Sequence, residues 1–178
     1  MINSMNKRIG KDLIDELLED WDYQRPDLDT APMEIVLRVQ NLAKSFNDLA
    51  SNKLQEFELQ WWQYDVLSAL RRQGEPYRMA ATKLAAAGLL TSGAMTNRID
   101  RLEQAGLVRR VKDDRDRRRV WVQLSDAGLH LVDRASDARF ETATASIAGL
   151  NDRQRRQLSQ LLRLLVLSLD NDPGESNG

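Results

Sequence analysis

The chain has 178 residues, of which 42% are hydrophobic and 30% are charged, a composition typical of a globular domain with a hydrophobic core. It contains no cysteine and one histidine, His130, which excludes disulfides, thiolate chemistry and a histidine-based metal site. No apolar run reaches 18 residues and the first residues do not form a signal-peptide pattern, so we expect a cytoplasmic protein without cofactor or metal and without membrane contact.

The net charge of −1 conceals a strong asymmetry along the chain. Residues 12–34 carry nine acidic side chains against Arg25 alone, whereas residues 98–119 carry nine arginines and lysines against five acidic side chains. This separation indicates that one surface meets an anion while another repels it.

The first predicted helix belongs to an N-terminal extension, residues 1–29. Its apolar residues recur at helical spacing and acidic side chains occupy the other face; the stripe is Leu13, Ile14, Leu17, Leu18 and Trp21. Thr30 is a suitable N-cap for a second helix over about 31–56. The apolar stripe of that helix runs for about seven turns, more than a small core needs, and therefore predicts packing against a partner chain.

The remaining elements alternate short helices with a hairpin. Helices are predicted over 61–73, 79–88 and 91–105, followed by two short strands and then by helices over about 126–147 and from Asn151 to 169. We therefore divide the chain into the extension, a main domain over 30–169 with its winged helix at about 58–125 and dimerisation helices at about 31–56 and 126–169, and a tail at 170–178 expected to be disordered.

Helix, turn, second helix and hairpin is the order of a winged helix-turn-helix. In the helix over 91–105 the residues Met95, Ile99 and Leu102 are expected to face inward. The opposite face offers small polar groups and a cation that suit the major groove of DNA, namely Ser92, Thr96, Asn97 and Arg101. The alternative for this face is an ordinary solvated surface.

The segment 112–119 consists of eight charged residues in succession, between the two predicted strands. Arginines on a narrow loop can reach a minor groove, and an aspartate paired with a neighbouring arginine fixes the direction of that long side chain. We expect Arg115, Asp116, Arg117 and Arg118 to contact DNA, with Asp116 orienting Arg118. A merely solvated turn is the alternative.

Three stretches carry a resemblance to the MarR family of bacterial transcription regulators: "QYDVLSALRR", "LTSGAMTNRIDRLEQAGLVRR" and "DRDRRRVWVQLSDAG", within residues 63–128. The resemblance implies a mainly α fold with a small β-hairpin, a winged helix-turn-helix and an intertwined homodimer that binds double-stranded DNA. Ala80 departs from the pattern, because such proteins often have a Ser or Thr cap there; the loss weakens the helix start by about 1 kcal/mol.

The extra helix and "DWDYQRPDLDTAP" resemble the urate-responsive, PecS-like branch of that family. The resemblance implies a small-molecule effector bound by Trp21, Asp65, Arg72 and Arg98. A planar anion can stack on an indole and accept two hydrogen bonds from a guanidinium. The alternatives are a core role for Trp21, an ion-pair network of Asp65 with Arg72, and a phosphate contact by Arg98.

The combined interpretation is a ligand-responsive repressor, released from a pseudo-palindromic operator by a small anionic or aromatic effector, with urate as first candidate. A winged-helix protein-interaction module that does not bind DNA is the alternative, although such a module has no need for an arginine-rich tip. An enzyme is the third possibility, and the sequence offers no nucleophile–base pair in support of it.

Overall fold

The computed structural model describes residues 10–88, 91–113 and 120–170. Within these ranges the elements in chain order are α1 (Leu13–Gln24), α2 (Ala31–Gln55), α3 (Trp61–Arg71), β1 (Arg78–Ala80), α4 (Ala81–Ala87), α5 (Ser92–Gln104), β2 (Val108–Lys112), β3 (Val120–Leu124), α6 (Asp126–Ser146) and α7 (Asp152–Asp170). None of the helices in the described ranges has the length and apolar character needed to cross a membrane.

The chain forms two compact units, one ending at Leu49 and the other beginning at Ala50. In the first unit Asp12 caps α1, accepting hydrogen bonds from the backbone N–H groups of Ile14 and Asp15 at 2.9 and 3.0 Å. Arg38 of α2 donates to the carboxylates of Asp12 and Asp15 at 2.9 and 2.5 Å. This guanidinium therefore ties the positive end of α1 and its acidic cap to the next helix.

The start of α2 corrects the predicted role of Thr30. Its carbonyl accepts from Met33 and Glu34, as expected at a helix start, but its hydroxyl donates to the carboxylate of Asp22 at 2.9 Å. Asp29 caps the helix instead, accepting from the N–H of Ala31 at 3.1 Å. A carboxylate is the stronger acceptor, and a hydroxyl can donate to one as well as accept.

The second unit has one hydrophobic core. It is formed by the inner faces of α3, α4, α5 and α6, one face of the sheet, and the end of α2. Its fully buried large side chains are Leu54, Leu67, Leu70, Leu84, Ile99, Leu102, Val122 and Val132. The inward face that the sequence predicts for α5 is thus confirmed, with Ile99 and Leu102 fully buried.

The sheet has three antiparallel strands in the order β1-β3-β2, not the two strands expected from the sequence. Arg78, Met79 and Ala80 pair with Gln123, Val122 and Trp121 of β3. The helix predicted over 79–88 is wrong at Met79 and Ala80, which lie in β1, and α4 begins at Ala81. Ala80 is the N-cap of α4 and, as predicted, supplies no side-chain hydrogen bond.

Two glycines flank the hairpin of β2 and β3, Gly106 before it and Gly128 after it. Gly106 follows α5 with a φ of +71°, a left-handed conformation that glycine adopts without strain. Gly128 in the first turn of α6 lies so close to the backbone that an added Cβ would meet the carbonyl oxygen of Leu107 at 2.0 Å. Ser125 caps α6 through the N–H of Gly128, and its own hydroxyl donates to the carbonyl of Gly106. The two strand ends of the hairpin are thus fixed to each other and to α6.

The helices α2 and α7 present apolar faces to solvent. On α2 the exposed apolar side chains include Ile35, Val36, Val39, Leu42, Phe46 and Leu49, and on α7 they include Leu158, Leu161, Leu162, Leu164, Leu165 and Leu169. No residue of α7 is buried, although the helix has a strongly one-sided apolar stripe. Contiguous apolar faces of this size are unusual on a soluble monomer.

Candidate nucleic-acid interface and ligand pocket

The helices α4 and α5 form the helix-turn-helix of the second unit. Thr91 caps α5 by accepting from the N–H of Ala94 at 3.3 Å. Met95, Ile99 and Leu102 of α5 are 2%, 1% and 0% exposed, so the helix is fixed by its inner face.

The outer face of α5 carries the residues predicted to read DNA. Thr96, Asn97 and Arg101 are all exposed. Ser92 is the first residue of the helix, and its side chain lies outside the described part of the structure. The exposed groups are an amide, a hydroxyl and a guanidinium, which can donate to phosphate oxygens and to acceptors on base edges.

The predicted wing is described only at its two strands, and the four residues predicted to contact DNA from it are not. The strands β2 and β3 form the expected hairpin, with Val111 opposite Trp121 and Lys112 opposite Val120. Arg115, Asp116, Arg117 and Arg118 lie outside the described residues, and so does the expected pairing of Asp116 with Arg118. Their part in DNA binding remains a prediction.

An arginine that the sequence analysis did not single out joins the wing to α5. Arg110 of β2 forms ion pairs with Asp100, at 2.6 Å, and with Glu103, and its backbone N–H donates to Glu103 at 3.0 Å. Partial burial lowers the pKa of Arg110, but its hydrogen bonds to the two carboxylates outweigh this and the pKa is raised. One guanidinium therefore pairs with two carboxylates of α5 and offsets one of their two negative charges. Two acids three residues apart on that helix were the sequence signal for such a partner.

The base of the wing is ordered by Trp121 of β3. Its indole N–H donates to the carboxylate of Asp113 at 2.9 Å, and the guanidinium of Arg78 lies over its ring, 5.0 Å from the centroid. These contacts connect β1, β3 and Asp113. They fix the base of the wing at the point where the described part of β2 ends.

Three of the four predicted ligand residues come together in one cavity. Asp65 and Arg72 of the α3 segment and Arg98 of α5 line a cavity of about 260 Å³. The rest of its wall is mainly apolar: Val66, Ala69, Leu84, Ala87, Gly88 and Met95. Two guanidiniums against one carboxylate leave a net charge of +1 in this cavity, which suits a compact monoanion.

Arg98 is held at the edge of this cavity by an aromatic ring. Its guanidinium carbon lies 5.4 Å from the ring centroid of Trp62, which belongs to α3. The predicted direction of Arg98, away from the exposed Thr96 and Asn97 and toward the interior, agrees with its partial burial. Trp62 was assigned no function from the sequence, because only the tertiary packing of α3 against α5 makes it a neighbour of Arg98.

A second cavity of about 350 Å³ shares Asp65 and Arg72 with the first and extends between α3 and α6. It is lined by further cationic and aromatic groups that the sequence did not identify: Tyr64, Arg71, Arg139 and Phe140. Arg71 is paired with Asp133 at 2.6 Å, and this hydrogen bond raises the pKa of Arg71. The guanidinium of Arg139 lies 4.5 and 4.6 Å from the ring centroids of Trp61 and Tyr64.

Trp21, the fourth predicted ligand residue, lies on α1 in the first unit and is 50% exposed. Its participation in binding remains a prediction. Among the described residues there is no group of three or more histidine and carboxylate side chains arranged to hold a metal ion.

The sequence profile of the MarR family matches residues 57–119, the segment that holds α3, the helix-turn-helix and the start of the wing. The HTH-type transcriptional regulator PecS of Dickeya dadantii (strain 3937) is 29% identical over 149 residues, which cover 84% of this chain and 90% of PecS.

Solved structures share the fold. AbsC, a MarR family transcriptional regulator from Streptomyces coelicolor, superposes with a TM-score of 0.70 at 23% identity, over 82% of this chain and 98% of AbsC. MepR of S. aureus, solved as a DNA complex, gives 0.64 at 21% identity over 75% and 96% of the two chains. Bordetella bronchiseptica BpsR, whose DNA binding is regulated by 6-hydroxynicotinic acid, gives 0.61 at 23% identity over 74% and 92%.

The profile match covers the helix-turn-helix and the first strand of the wing, and the similarity to PecS extends over 84% of the chain. Residues 57–119 of the chain therefore match the MarR family, and the chain has PecS among its relatives.

Proposed function

We propose that the protein is a transcription regulator that binds double-stranded DNA as a homodimer and is released by a small anionic effector. The observation that carries the DNA-binding part is the division of α5 into two faces. Met95, Ile99 and Leu102 fix one face in the core, whereas Thr96, Asn97 and Arg101 stand exposed on the other. A helix held in this way can enter a major groove with its polar side chains at base edges and phosphates.

The winged-helix relatives support this proposal, since MepR has been solved with DNA bound and shares the fold of this chain. In our proposal α5 enters the major groove, and the wing reaches the adjacent minor groove with Arg115, Arg117 and Arg118. Asp116 orients Arg118 there. Ser92 at the start of α5 contacts the backbone of the DNA.

A homodimer is proposed from the apolar faces of α2 and α7. Phe46 of α2 and Leu161 of α7 are 41% and 52% exposed, and each belongs to a long apolar stripe. A second copy of the chain would cover these stripes and present a second α5 related by a two-fold axis. The DNA site is then a pseudo-palindrome with half-sites about one helical turn apart.

The effector part of the proposal rests on the cavity that contains Asp65, Arg72 and Arg98. Effector binding can influence DNA binding through α5. Arg98, which lines the cavity, lies on the same helix as Asn97, a proposed DNA contact. An anion bound there attracts Arg98 and repels Asp65, and a shift of α5 that follows changes the face presented to DNA. Urate is our first candidate, since it is a planar monoanion of a size that suits about 260 Å³.

DNA binding is tested by titrating the full chain with operator duplex, selected from random DNA, at several salt concentrations. If six to ten phosphates are neutralised, affinity falls about 10³- to 10⁵-fold between 50 and 200 mM salt. Arg101→Ala is expected to weaken binding to every sequence, whereas Asn97→Ala loses discrimination at one base pair, worth about 1–3 kcal/mol. Arg118→Ala is expected to weaken binding and leave the folded dimer intact.

Equal affinity of wild type and Arg118→Ala would remove the wing from the interface. Absence of any selected duplex would overturn DNA binding and favour a protein-interaction role for the winged helix.

Effector binding is tested by release of DNA and by thermal shift against purines, aromatic acids and polycarboxylates. An effector typically weakens DNA binding 5- to 150-fold, which corresponds to an allosteric coupling of about 1–3 kcal/mol. Linkage requires that DNA weakens the affinity of the protein for that anion by the same factor. Trp21→Phe tests the fourth predicted contact and is expected to blunt release. A protein that responds to other anions and to no purine would overturn urate as the effector.

A further inference from the structure

The indole of Trp62 is held in place by hydrogen bonds at the start of α3. Its indole N–H donates to the side-chain carbonyl of Gln60 at 2.5 Å, and the backbone N–H of Gln60 donates to the side chain of Gln63 at 2.8 Å. The ring also packs, partly buried, against the hydrophobic core. One face of a fixed ring is therefore directed at Arg98.

A guanidinium over an aromatic face is attracted by the ring quadrupole, and its planar shape leaves the N–H groups at its edge free to donate elsewhere. Arg98 meets both conditions, because it lies over Trp62 and also lines the cavity with Asp65 and Arg72. Without the ring, the long side chain of Arg98 would sample other rotamers, and an anion would have to bear the entropy of ordering it.

We infer that Trp62 is the positioning residue for Arg98: it holds the guanidinium at the cavity before the effector arrives and connects α3 to the DNA-facing helix α5. This inference rests on the proposed effector function of that cavity. Trp62 does not contact the effector in this scheme. It acts through Arg98 alone, so its effect must vanish when Arg98 is removed.

The neighbouring Trp61 provides a matched control. It is the same residue type on the same helix, but its ring lies against Arg139, 4.5 Å from the guanidinium carbon, and does not line the cavity that contains Arg98. Trp61→Leu therefore removes an indole from α3 without removing the contact of Arg98.

The experiment measures urate affinity by calorimetry on the full-length protein and its variants. Trp62→Leu is expected to weaken urate binding roughly tenfold, within the range that desolvated cation–π contacts reach, and Trp62→Phe, which keeps an aromatic face, is expected to restore most of it. Trp61→Leu should bind as the wild type does. In an Arg98→Ala background, Trp62→Leu should cause no further loss.

Additive losses in Trp62→Leu and Arg98→Ala would overturn the inference, and so would equal binding by the Leu variant and the wild type. The wild type, Trp62→Leu, Arg98→Ala and the double variant are also melted without ligand. This double-mutant cycle does not depend on the effector. Melting temperatures that show coupling between Trp62 and Arg98 support the positioning contact, and additive shifts overturn it. A wild type that binds no urate would overturn only the proposed effector, and the melting cycle would still decide the role of Trp62.

Discussion

Arg110 of β2 and Asp100 of α5 form an ion pair of 2.6 Å that joins the wing to α5. Glu103, one turn further along α5, pairs with the same guanidinium. The two parts proposed to enter adjacent grooves of DNA are thus held in a fixed relation by one side chain. Arg110 also offsets one of the two negative charges that would otherwise oppose the phosphates in the proposed complex.

Arg110→Ala is accordingly expected to weaken DNA binding by about tenfold or more, since it frees the wing and exposes two like charges to DNA. The measurement is a titration of operator duplex at fixed salt. Arg110→Ala combined with Asp100→Asn and Glu103→Gln should recover part of the affinity by removing the uncompensated charges. Arg109→Ala, on the same strand, separates this effect from the loss of a cation as such. No recovery in the triple variant would contradict the charge argument.

The apolar stripe of α7 is predicted to be a subunit interface. Leu161→Glu with Leu165→Glu places two charges in the centre of that stripe, where both leucines are now about half exposed. Burying an unpaired carboxylate against a second copy would cost several kcal/mol, so the variant should lose the dimer. Light scattering at low micromolar concentration measures the change, and Gln160→Glu on the polar side of the helix is the control. A monomeric wild type would contradict the proposed assembly.

Gly128→Ala is expected to destabilise the second unit, because the new Cβ would lie 2.0 Å from the carbonyl oxygen of Leu107. Either α6 or the start of β2 must shift, at a cost of about 1–3 kcal/mol of unfolding free energy. Gly149→Ala is the matched control, since no heavy atom lies within 4 Å of the position of its Cβ. Denaturant unfolding measures both. Equal stability of the two variants would show that the backbone contact is not restrictive.

The sequence was sufficient for those features that depend on neighbours along the chain. The inward face of α5 and the missing cap at Ala80 each follow from residues within a few positions. β1 could not be predicted in this way, because three residues show no alternation and gain strand structure only by pairing with β3, more than forty positions later. The contact of Arg98 with Trp62 likewise requires the packing of α3 on α5.

The acidic cap of α1 predicts a response to pH. Hydrogen bonds from Arg38 hold the pKa of Asp12 below its ordinary value of 3.8, with further lowering by the backbone N–H groups of Asp15 and Ile14. A lowered folded-state pKa contributes stability above pH 3.8 that is lost as the pH falls through the lower folded value. We therefore expect hydrogen-exchange protection of residues 13–24 to fall in that acid range. Asp12→Asn keeps a capping acceptor but removes the charge, so its protection should change less with pH.

The last prediction concerns Asp65, the only carboxylate among the described residues that line the cavity of Arg72 and Arg98. An anion that enters the cavity meets like-charge repulsion from Asp65, which opposes binding and, in the proposed mechanism, also drives the shift of α5. Asp65→Asn removes this repulsion while keeping the size of the side chain. Urate should bind about fivefold more tightly, as expected for about 1 kcal/mol between charges in a solvated site. At the same time, saturating urate should release less DNA, because without the repulsion the affinity of urate differs less between the DNA-bound and the DNA-free conformation. Calorimetry measures the affinity for urate, and competition with operator duplex measures the release of DNA.

Asp137→Asn controls for net charge, since Asp137 is exposed on α6 and lines neither cavity. Tighter binding with undiminished release would show that Asp65 opposes the ligand without transmitting its presence to DNA.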